Sequence, residues 1–470
     1  MNTVQRIVKN TGVLFAAQII AYLLAFVYMV DIARYLGPES FGIFSFATAV
    51  VLIFGIFADL GLSTLITREL SRDKSLEKIY IGNFIPIKVI LSIIIYSILV
   101  LFGNLMGYPQ VTLNVLYIFG LFMITNGFSQ LFLGVFQAHE KMEYQSISLL
   151  INNSIIFLGV FYGISNGFNV EGFAFIYFIA AVVGLLFSFF IMQWKYSPPR
   201  LSFNLKFWRK SLTLAIPLSF AIVFSTIAFR VDTVLLGILQ GNIAVGWYSA
   251  GFRLIDFLLF IPVVYAGAIF PVLAKFHISS KDLLKILYGK SFKYLLVISI
   301  PIVAGTSILA QEIILLLFQN SYSQSIIALK ILIWVIPFMF LINIFGVMFV
   351  SINKQNLMLK ITFVVMILNI ILNLIFIPLY SYVGTSIISV ITCVVESAIC
   401  FYYLSSYIDI QVANLFLKPI LASIIMSIYL YFVNLNLFLS IITATILYFG
   451  LLILFKTFNQ EDYNIIKKLV

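Results

Sequence analysis

Long apolar segments of about 20 residues, separated by short polar stretches, recur along the whole of this 470-residue chain. A helix needs about 20 apolar residues to cross a bilayer. Because the backbone finds no hydrogen-bonding partners in lipid, such segments fold as helices. They lie at residues 12–34, 41–63, 80–102, 112–136, 147–165, 171–193, 211–236, 245–272, 292–316, 327–352, 359–378, 383–404, 417–433 and 437–456. We therefore expect an all-α polytopic membrane protein with 14 transmembrane helices.

The composition excludes several other classes of protein. Hydrophobic residues make up 63% of the chain and charged residues only 10%, against about 45–50% and about 25% in soluble domains. A soluble enzyme and a disordered chain are excluded by this excess. Cys393 and Cys400 lie in one apolar segment, where a helix separates them by about 10 Å, too far for a disulfide.

The basic residues follow a topological pattern that accounts for the net charge of +11. Twenty-three of the 28 lysines and arginines lie near the two ends of the chain or in every second loop. Positive residues collect on the cytoplasmic side of membrane proteins. We therefore expect a protein of the cell membrane with both termini in the cytoplasm, and no nucleic-acid partner.

An internal repeat suggests two lobes. The pair Leu-Gly at 36–37 precedes Gly-Ile-Phe-Ser at 42–45, and Leu-Gly at 236–237 precedes Gly-Trp-Tyr-Ser at 246–249. Since six predicted spans separate the copies, the two repeats share one orientation in the membrane.

This repeat gives four predicted parts of the chain. They are an N-terminal lobe at 1–193, a cytoplasmic linker at 194–210 that contains Pro198 and Pro199, a C-terminal lobe at 211–404, and the last two helices with a cytoplasmic tail at 405–470.

Motifs for catalysis or cofactor binding are missing from the sequence. Gly289-Lys290-Ser291 lacks the first glycine of a phosphate-binding loop, since Leu284 stands there. His139 and His277 lie in different loops without a second ligand at metal spacing. The predicted outer loops are also too short to hold an acid–base pair. We expect no metal, no cofactor and no enzymatic activity.

Charged residues inside the predicted spans are the candidate functional groups. An ionised side chain in the bilayer costs at least about 2.5–3.5 kcal/mol, so it usually faces a cavity or a partner. Cations suit an anionic, phosphorylated ligand. The predicted substrate-binding cations are Arg230, Arg253, Lys88 and Arg34. The predicted residues for ion coupling or gating are Asp59, Asp232, Asp256 and Glu396.

Structural ion pairing is the alternative role for these residues. Arg253 and Asp256 lie three residues apart on one helical face, as do Asp31 and Arg34. Such a pair neutralises itself and needs no ligand.

Several stretches resemble a known family. Residues 33–42 (ARYLGPESFG), 58–62 (ADLGL) and 68–69 (RE) are similar to the opening of polysaccharide-type flippases of the multidrug/oligosaccharidyl-lipid/polysaccharide superfamily. Residues 216–217 (IP), 230–233 (RVDT) and 246–250 (GWYSA) are similar to the start of that family's second lobe. A later part of the same lobe is matched by Asn369, Asn373, Pro378 and Gly384.

The resemblance implies a V-shaped protein with two parallel six-helix lobes and two further C-terminal helices. Such flippases carry oligosaccharides linked to a polyprenyl phosphate or diphosphate from the cytoplasmic to the outer leaflet by alternating access, for surface polysaccharide or glycan synthesis. The family's cationic cavity corresponds by position to Arg230 and Arg253, and less closely to Lys88. Relatives that flip the peptidoglycan precursor use their last two helices as a groove for the lipid tail. Membrane lipid and glycan-assembly proteins are the implied partners.

Three other functions stay open at this point. A cation-coupled drug or small-molecule antiporter of the same superfamily usually has twelve spans. A membrane glycan polymerase or ligase would need a large outer loop. A non-transporting scaffold would need neither buried charges nor a repeat.

Overall fold

The structure is a computed structural model that describes residues 3–196, 200–407, 413–433 and 435–458, with side chains except at 3–11, 13 and 413–415. This part of the chain forms fifteen α-helices and two single-turn 3₁₀ helices, and contains no β-strand. The α-helices are α1 (Thr3–Asp59), α2 (Leu62–Arg72), α3 (Glu77–Leu105), α4 (Gln110–Ala138), α5 (Met142–Ser165), α6 (Val170–Lys195), α7 (Leu205–Gln240), α8 (Asn242–Leu258), α9 (Phe260–Ser279), α10 (Lys281–Phe318), α11 (Ser325–Leu332), α12 (Val335–Ser351), α13 (Gln355–Ser405), α14 (Ala413–Phe432) and α15 (Leu437–Leu454). The predicted all-α polytopic class is confirmed.

The helices are long enough and apolar enough for a multi-pass membrane protein. Within the described residues ten can cross a bilayer, or eleven if α11 and α12, bent by 43° at their junction, form one span. The two longest helices are each interrupted, α1 at Gly37 and α13 at Ser381. Predicted spans 1 and 2 lie on the two sides of Gly37. The total of fourteen spans stays a prediction.

The break in α1 depends on a glycine. Gly37 has φ 73° and ψ 173°, a conformation that side chains with a Cβ rarely adopt. Gly241, between α7 and α8, has nearly the same conformation, with φ 81° and ψ −179°. The structure therefore pairs Gly37 with Gly241 in the internal repeat, whereas the sequence comparison matched Gly37 with Gly237.

The chain forms two compact units. The first comprises residues 1–249 and 373–381, and the second comprises 250–372 and 382–470. The four parts predicted from the repeat remain a prediction.

The first unit is a helical bundle whose core is largely apolar. α4 packs against α6, and α5 packs against α1 and α6. The short helix α2 buries Leu62, Leu65, Ile66 and Leu70 against α4 and α7. The predicted spans at 41–63 and 80–102 leave most of this segment in a loop. α2 is instead amphipathic, so one face completes the core and the other carries the charges.

The segment before α7 and the first turn of α7 are hydrogen-bonded to α3. The Ser202 N–H donates to the Gly82 carbonyl oxygen at 2.9 Å, and the Trp208 indole donates to the Asn83 side-chain oxygen at 3.0 Å. A Cβ atom at Gly82 would collide with the Arg200 carbonyl oxygen, so only glycine permits this approach. Most of the predicted linker is thus docked on the bundle, while Pro198 and Pro199 lie outside the described residues.

The second unit contains the last two described helices. α14 and α15 pack against α10 and against each other. Their shared core is apolar and includes Ala422, Met426, Ala444 and Leu452. The Tyr448 hydroxyl at its centre donates to the Val297 carbonyl oxygen at 2.8 Å.

Candidate functional site

A buried ion pair links two helices of the first unit. The Lys88 ammonium on α3 contacts the Asp59 carboxylate, which closes the C-terminal end of α1. The Lys88 side chain is 2% exposed and the Asp59 side chain 27%. A lysine this deeply buried needs a negative partner, and Asp59 supplies it.

The turn after α1 holds the carboxylate in place. Leu60 and Gly61 have positive φ, so the chain turns immediately after Asp59 and α2 begins. The Ser63 hydroxyl donates to one Asp59 oxygen at 2.6 Å, and the Ser63 N–H lies 3.3 Å from the other. Asp59 thereby satisfies a backbone donor that the first turn of a helix leaves without a partner.

The Asp59–Lys88 pair adjoins a cavity of about 350 Å³, which we call the ion-pair cavity. Asp59 and Ser63 line it, together with Asn126 and Gln130 of α4. A Cβ atom at Gly127 would lie 3.2 Å from the Lys88 Cε atom, so this glycine gives the lysine its space.

A second cavity of about 340 Å³ lies in the same unit, among α1, α4, α5 and α6. Six side-chain amides line it, and we call it the amide cavity. They are Gln18, Asn126, Gln130, Gln145, Asn152 and Asn153. The described lining residues include no charged side chain. The described lining therefore combines amide and apolar side chains and is uncharged.

The two cavities share a wall. Asn126 and Gln130 line both of them. These residues lie four apart on α4 and so occupy one face of that helix. The ion pair and the amides are thus neighbouring parts of one polar region inside an apolar bundle.

Asp232 is fixed in the first unit. It is 5% exposed and accepts hydrogen bonds from the Asn373 amide at 2.9 Å and the Tyr248 hydroxyl at 3.3 Å. Arg230, also in the first unit, is half-buried with its guanidinium 4.8 Å from the centre of the Phe229 ring. Arg34 is exposed, three residues before the break at Gly37.

The second unit holds three further predicted site residues, Arg253, Asp256 and Glu396. The Arg253 guanidinium contacts the Asp256 carboxylate at 3.2 Å, with side chains 17% and 21% exposed. Glu396 accepts a hydrogen bond from the Thr362 hydroxyl at 3.0 Å. Arg253 and Asp256 therefore form the local pair that their three-residue spacing suggested.

The two copies of the repeated glycine motif touch each other within the first unit. A Cβ atom at Gly42 would collide with the Asn242 carbonyl oxygen, and one at Gly246 would collide with the Pro38 carbonyl oxygen. One offset of 204 residues relates 38 to 242 and 42 to 246. The contact is therefore reciprocal, as in an interface between two equivalent surfaces.

The structure adds residues that the sequence analysis missed. Charge inside the spans does not identify the amides of α4 and α5, because these side chains are neutral. The signal was present in the sequence: amides in membrane helices need partners and mark interior faces. Asn126 and Gln130 on α4, with Gln145 and Asn152 on α5, form such faces. Among the described residues no group of three or more histidines, cysteines or carboxylates is placed to hold a metal ion.

Comparison with solved structures defines the fold. The chain superimposes on a structure titled "Lipid II flippase MurJ, inward closed conformation" with a TM-score of 0.80, at 18% identity and with 94% of this chain and 98% of the other covered. A multidrug resistance MATE family transporter of the MOP superfamily in an inward-facing conformation gives a TM-score of 0.65, at 17% identity over 82% and 94% of the two chains. At these identities the likeness concerns the fold.

Two curated relatives match most of the chain. The capsular polysaccharide biosynthesis protein CapF of Staphylococcus aureus is 25% identical over 409 residues, which cover 84% of this chain and 98% of CapF. The probable low-salt glycan biosynthesis flippase Agl15 of Haloferax volcanii is 24% identical over 403 residues, covering 85% and 83% of the two chains.

Family models give the assignment. The MatE model matches residues 217–375. The model described as "Polysaccharide biosynthesis protein" matches residues 7–277, more than half of the chain. The chain therefore belongs to the polysaccharide biosynthesis protein family.

Proposed function

We propose that this protein is a flippase that carries a polyprenyl-phosphate- or diphosphate-linked oligosaccharide from the cytoplasmic to the outer leaflet by alternating access. Family membership and the names of CapF and Agl15 support this function. We place the protein in the cytoplasmic membrane with both termini in the cytoplasm, because the basic residues concentrate near the ends and in every second loop. Glycan-assembly enzymes are its proposed partners, and transport without catalysis is its proposed activity.

The observation that carries the proposal is the polar region inside the first unit. The outer surface of this unit presents side chains such as Leu158, Leu186 and Phe190, each at least 60% exposed. Its interior holds the ion-pair cavity and the amide cavity. A bundle that is apolar outside and polar inside suits a substrate whose lipid tail stays in the bilayer while its head group crosses.

The cations have different proposed roles. Arg230, Arg253 and Arg34 are the proposed phosphate-binding residues, because a planar guanidinium matches the geometry of phosphate oxygens. For Lys88 we propose charge compensation of Asp59, because its ammonium is already engaged and fully buried.

Asp59 is the proposed coupling carboxylate. It lines the ion-pair cavity and remains partly exposed to it. Protonation or cation binding there would weaken its contact with Lys88, and so link an ion gradient to the packing of α1 against α3. Asp232, Asp256 and Glu396 are secondary candidates for coupling or gating.

Deletion of the gene in the source organism tests the function. We expect lipid-linked oligosaccharide to accumulate with its sugars facing the cytoplasm, and surface glycan to be lost. Wild-type protein supplied from a plasmid should restore both, as measured by lipid extraction and glycan staining. Unchanged lipid-linked oligosaccharide and normal surface glycan in the deletion strain would contradict the proposal.

The MatE match over residues 217–375 supports a second candidate, a cation-coupled drug antiporter. That function predicts faster ethidium efflux from cells that overproduce the protein. A flippase predicts unchanged efflux in the same cells.

A further inference from the structure

The amide cavity has the chemistry of a carbohydrate site. A side-chain amide offers two N–H donors and one carbonyl acceptor. Six such groups converge on this cavity, together with the hydroxyls of Ser129 and Ser148. Sugar hydroxyls also donate and accept, so a ring carrying several of them can pair with several amides at once.

Two of the amides have buried oxygen atoms with no hydrogen-bond partner in the described structure. They are the side-chain oxygens of Gln145 and Asn152 on α5. A buried acceptor without a donor costs about 1–3 kcal/mol, so hydroxyl groups that donate to these two oxygens would stabilise the cavity. By contrast, Asn153 is satisfied: its amide donates to the Leu149 carbonyl oxygen at 2.9 Å and accepts from the Tyr28 hydroxyl at 3.2 Å.

The charge of the lining narrows the class of ligand. A phosphate would call for arginine or lysine, and a cationic drug or a metal ion for a carboxylate. None of the described lining residues carries either charge. The lining is mixed in a way that suits sugars, because Leu133, Leu149 and Tyr22 provide apolar surface for the C–H faces of a ring.

The volume and position of the amide cavity fit one part of a larger substrate. A volume of about 340 Å³ lies at the lower end of the about 300–1,000 Å³ usual for small-molecule pockets. It suits a mono- or disaccharide unit. Asn126 and Gln130 connect it to the ion-pair cavity, so a sugar bound there would touch the wall beside Asp59.

We propose that the amide cavity of the first unit binds uncharged sugar residues of the transported glycan, with Gln145 and Asn152 accepting hydrogen bonds from sugar hydroxyls. This inference rests on the proposed flippase function and adds the recognition of the sugar. The phosphate is bound elsewhere, by the cations.

The test compares two ligands on purified full-length protein in detergent, by native mass spectrometry. One ligand is the lipid-linked oligosaccharide extracted from the deletion strain, and the other is a polyprenyl diphosphate without sugar. The variant Gln145→Met/Asn152→Leu removes the two oxygens while nearly keeping the side-chain volumes. The matched control is Asn343→Leu, because the Asn343 amide on α12 donates to the backbone of its own helix, at 3.0 Å.

We expect the double variant to bind the glycan-bearing lipid about 10- to 100-fold more weakly, the loss for two buried hydrogen bonds. Its binding of the sugar-free carrier should change less than twofold, and the control should match wild type for both ligands. Equal losses for both ligands, or no loss for either, would overturn the sugar site. Failure of the wild type to bind the glycan-bearing lipid would instead refute the proposed function itself.

A single variant keeps the proposal testable if the double variant does not fold. In Asn152→Cys the new thiol should react with a maleimide. The glycan-bearing lipid should slow that reaction at least fivefold and the sugar-free carrier should not. Equal protection by both ligands would contradict the assignment.

Discussion

The charged groups inside the two units are held in different ways. In the first unit, Lys88 and Asp59 lie on different helices and 29 residues apart, and the lysine is fully buried. In the second unit, Arg253 and Asp256 share one helix and are both partly exposed. The first pair fixes the packing of α1 against α3. The second neutralises charge within one helical turn.

From this contrast we infer two separate roles for buried charge. A pair across helices stabilises one arrangement of a bundle and must be broken, or its charge changed, before the bundle rearranges. A pair within one helical turn is not affected when helices rearrange, since both groups move together. We therefore expect the first unit to hold the coupling device and Arg253 to contact the substrate.

Removing Lys88 is the largest expected perturbation. Lys88→Met leaves the Asp59 carboxylate without its cation and should cost about 3–5 kcal/mol of unfolding free energy. The double variant Lys88→Met/Asp59→Asn should recover most of that loss, because no unpaired charge remains. Unfolding by denaturant in detergent measures both, with the exposed Lys360→Met as the control. Equal destabilisation of the single and double variants would show that the charge pairing is not the cause.

The second-largest loss of stability is expected when the reciprocal glycine contact is disturbed. Gly42→Ala or Gly246→Ala places a methyl group against a backbone carbonyl, and should cost about 1–3 kcal/mol in the described arrangement. Gly450→Ala on α15 is the control, because a Cβ atom there meets nothing within 4 Å. In thermal unfolding, Gly42→Ala and Gly246→Ala should melt at lower temperatures than Gly450→Ala. Similar melting temperatures for all three variants would contradict the close contact at Gly42 and Gly246.

Arg253→Ala should affect function much more than stability. Arg253 and Asp256 are both partly exposed, so losing their pair should cost less than the about 3–5 kcal/mol expected for breaking a fully buried pair, and the variant should fold. A lost guanidinium–phosphate contact should slow glycan export about 10- to 100-fold, measured by complementation of the deletion strain. Arg253→Lys should retain part of the activity. Full export by Arg253→Ala would remove Arg253 from the proposed phosphate site.

The smallest effect is expected at Glu396. Glu396→Gln keeps an acceptor for the Thr362 hydroxyl, so the unfolding free energy should change by less than about 0.5 kcal/mol. If Asp59 is the main coupling carboxylate, this variant also keeps its dependence on an ion gradient while Asp59→Asn loses it. The reverse result would move the coupling site to the second unit.

The sequence predicted what depends on local pattern. Apolar segments of membrane length gave the helical class, and the three-residue spacing of Arg253 and Asp256 indicated their pairing. The break at Gly37 lies between two predicted spans for the same reason, because Gly-Pro disfavours a continuous helix.

Contacts between distant helices escaped that reasoning. The partner of Lys88 is set by how α1, α3 and α4 pack, and no spacing along the chain encodes it. The amide cavity was missed because an asparagine such as Asn152 changes the mean hydropathy of a span very little, although its effect in the interior is large. Only the packing of α1, α4 and α5 brings six such residues together.

Transport in a purified system tests the central claim most directly. The protein is reconstituted into liposomes with lipid-linked oligosaccharide extracted from the deletion strain, and the appearance of its glycan on the opposite leaflet is followed with a membrane-impermeant glycosidase or lectin. We predict protein-dependent translocation that Arg253→Ala slows and Asn343→Leu leaves unchanged. Translocation no faster than in protein-free liposomes, with ion gradients of either sign applied, would contradict the account.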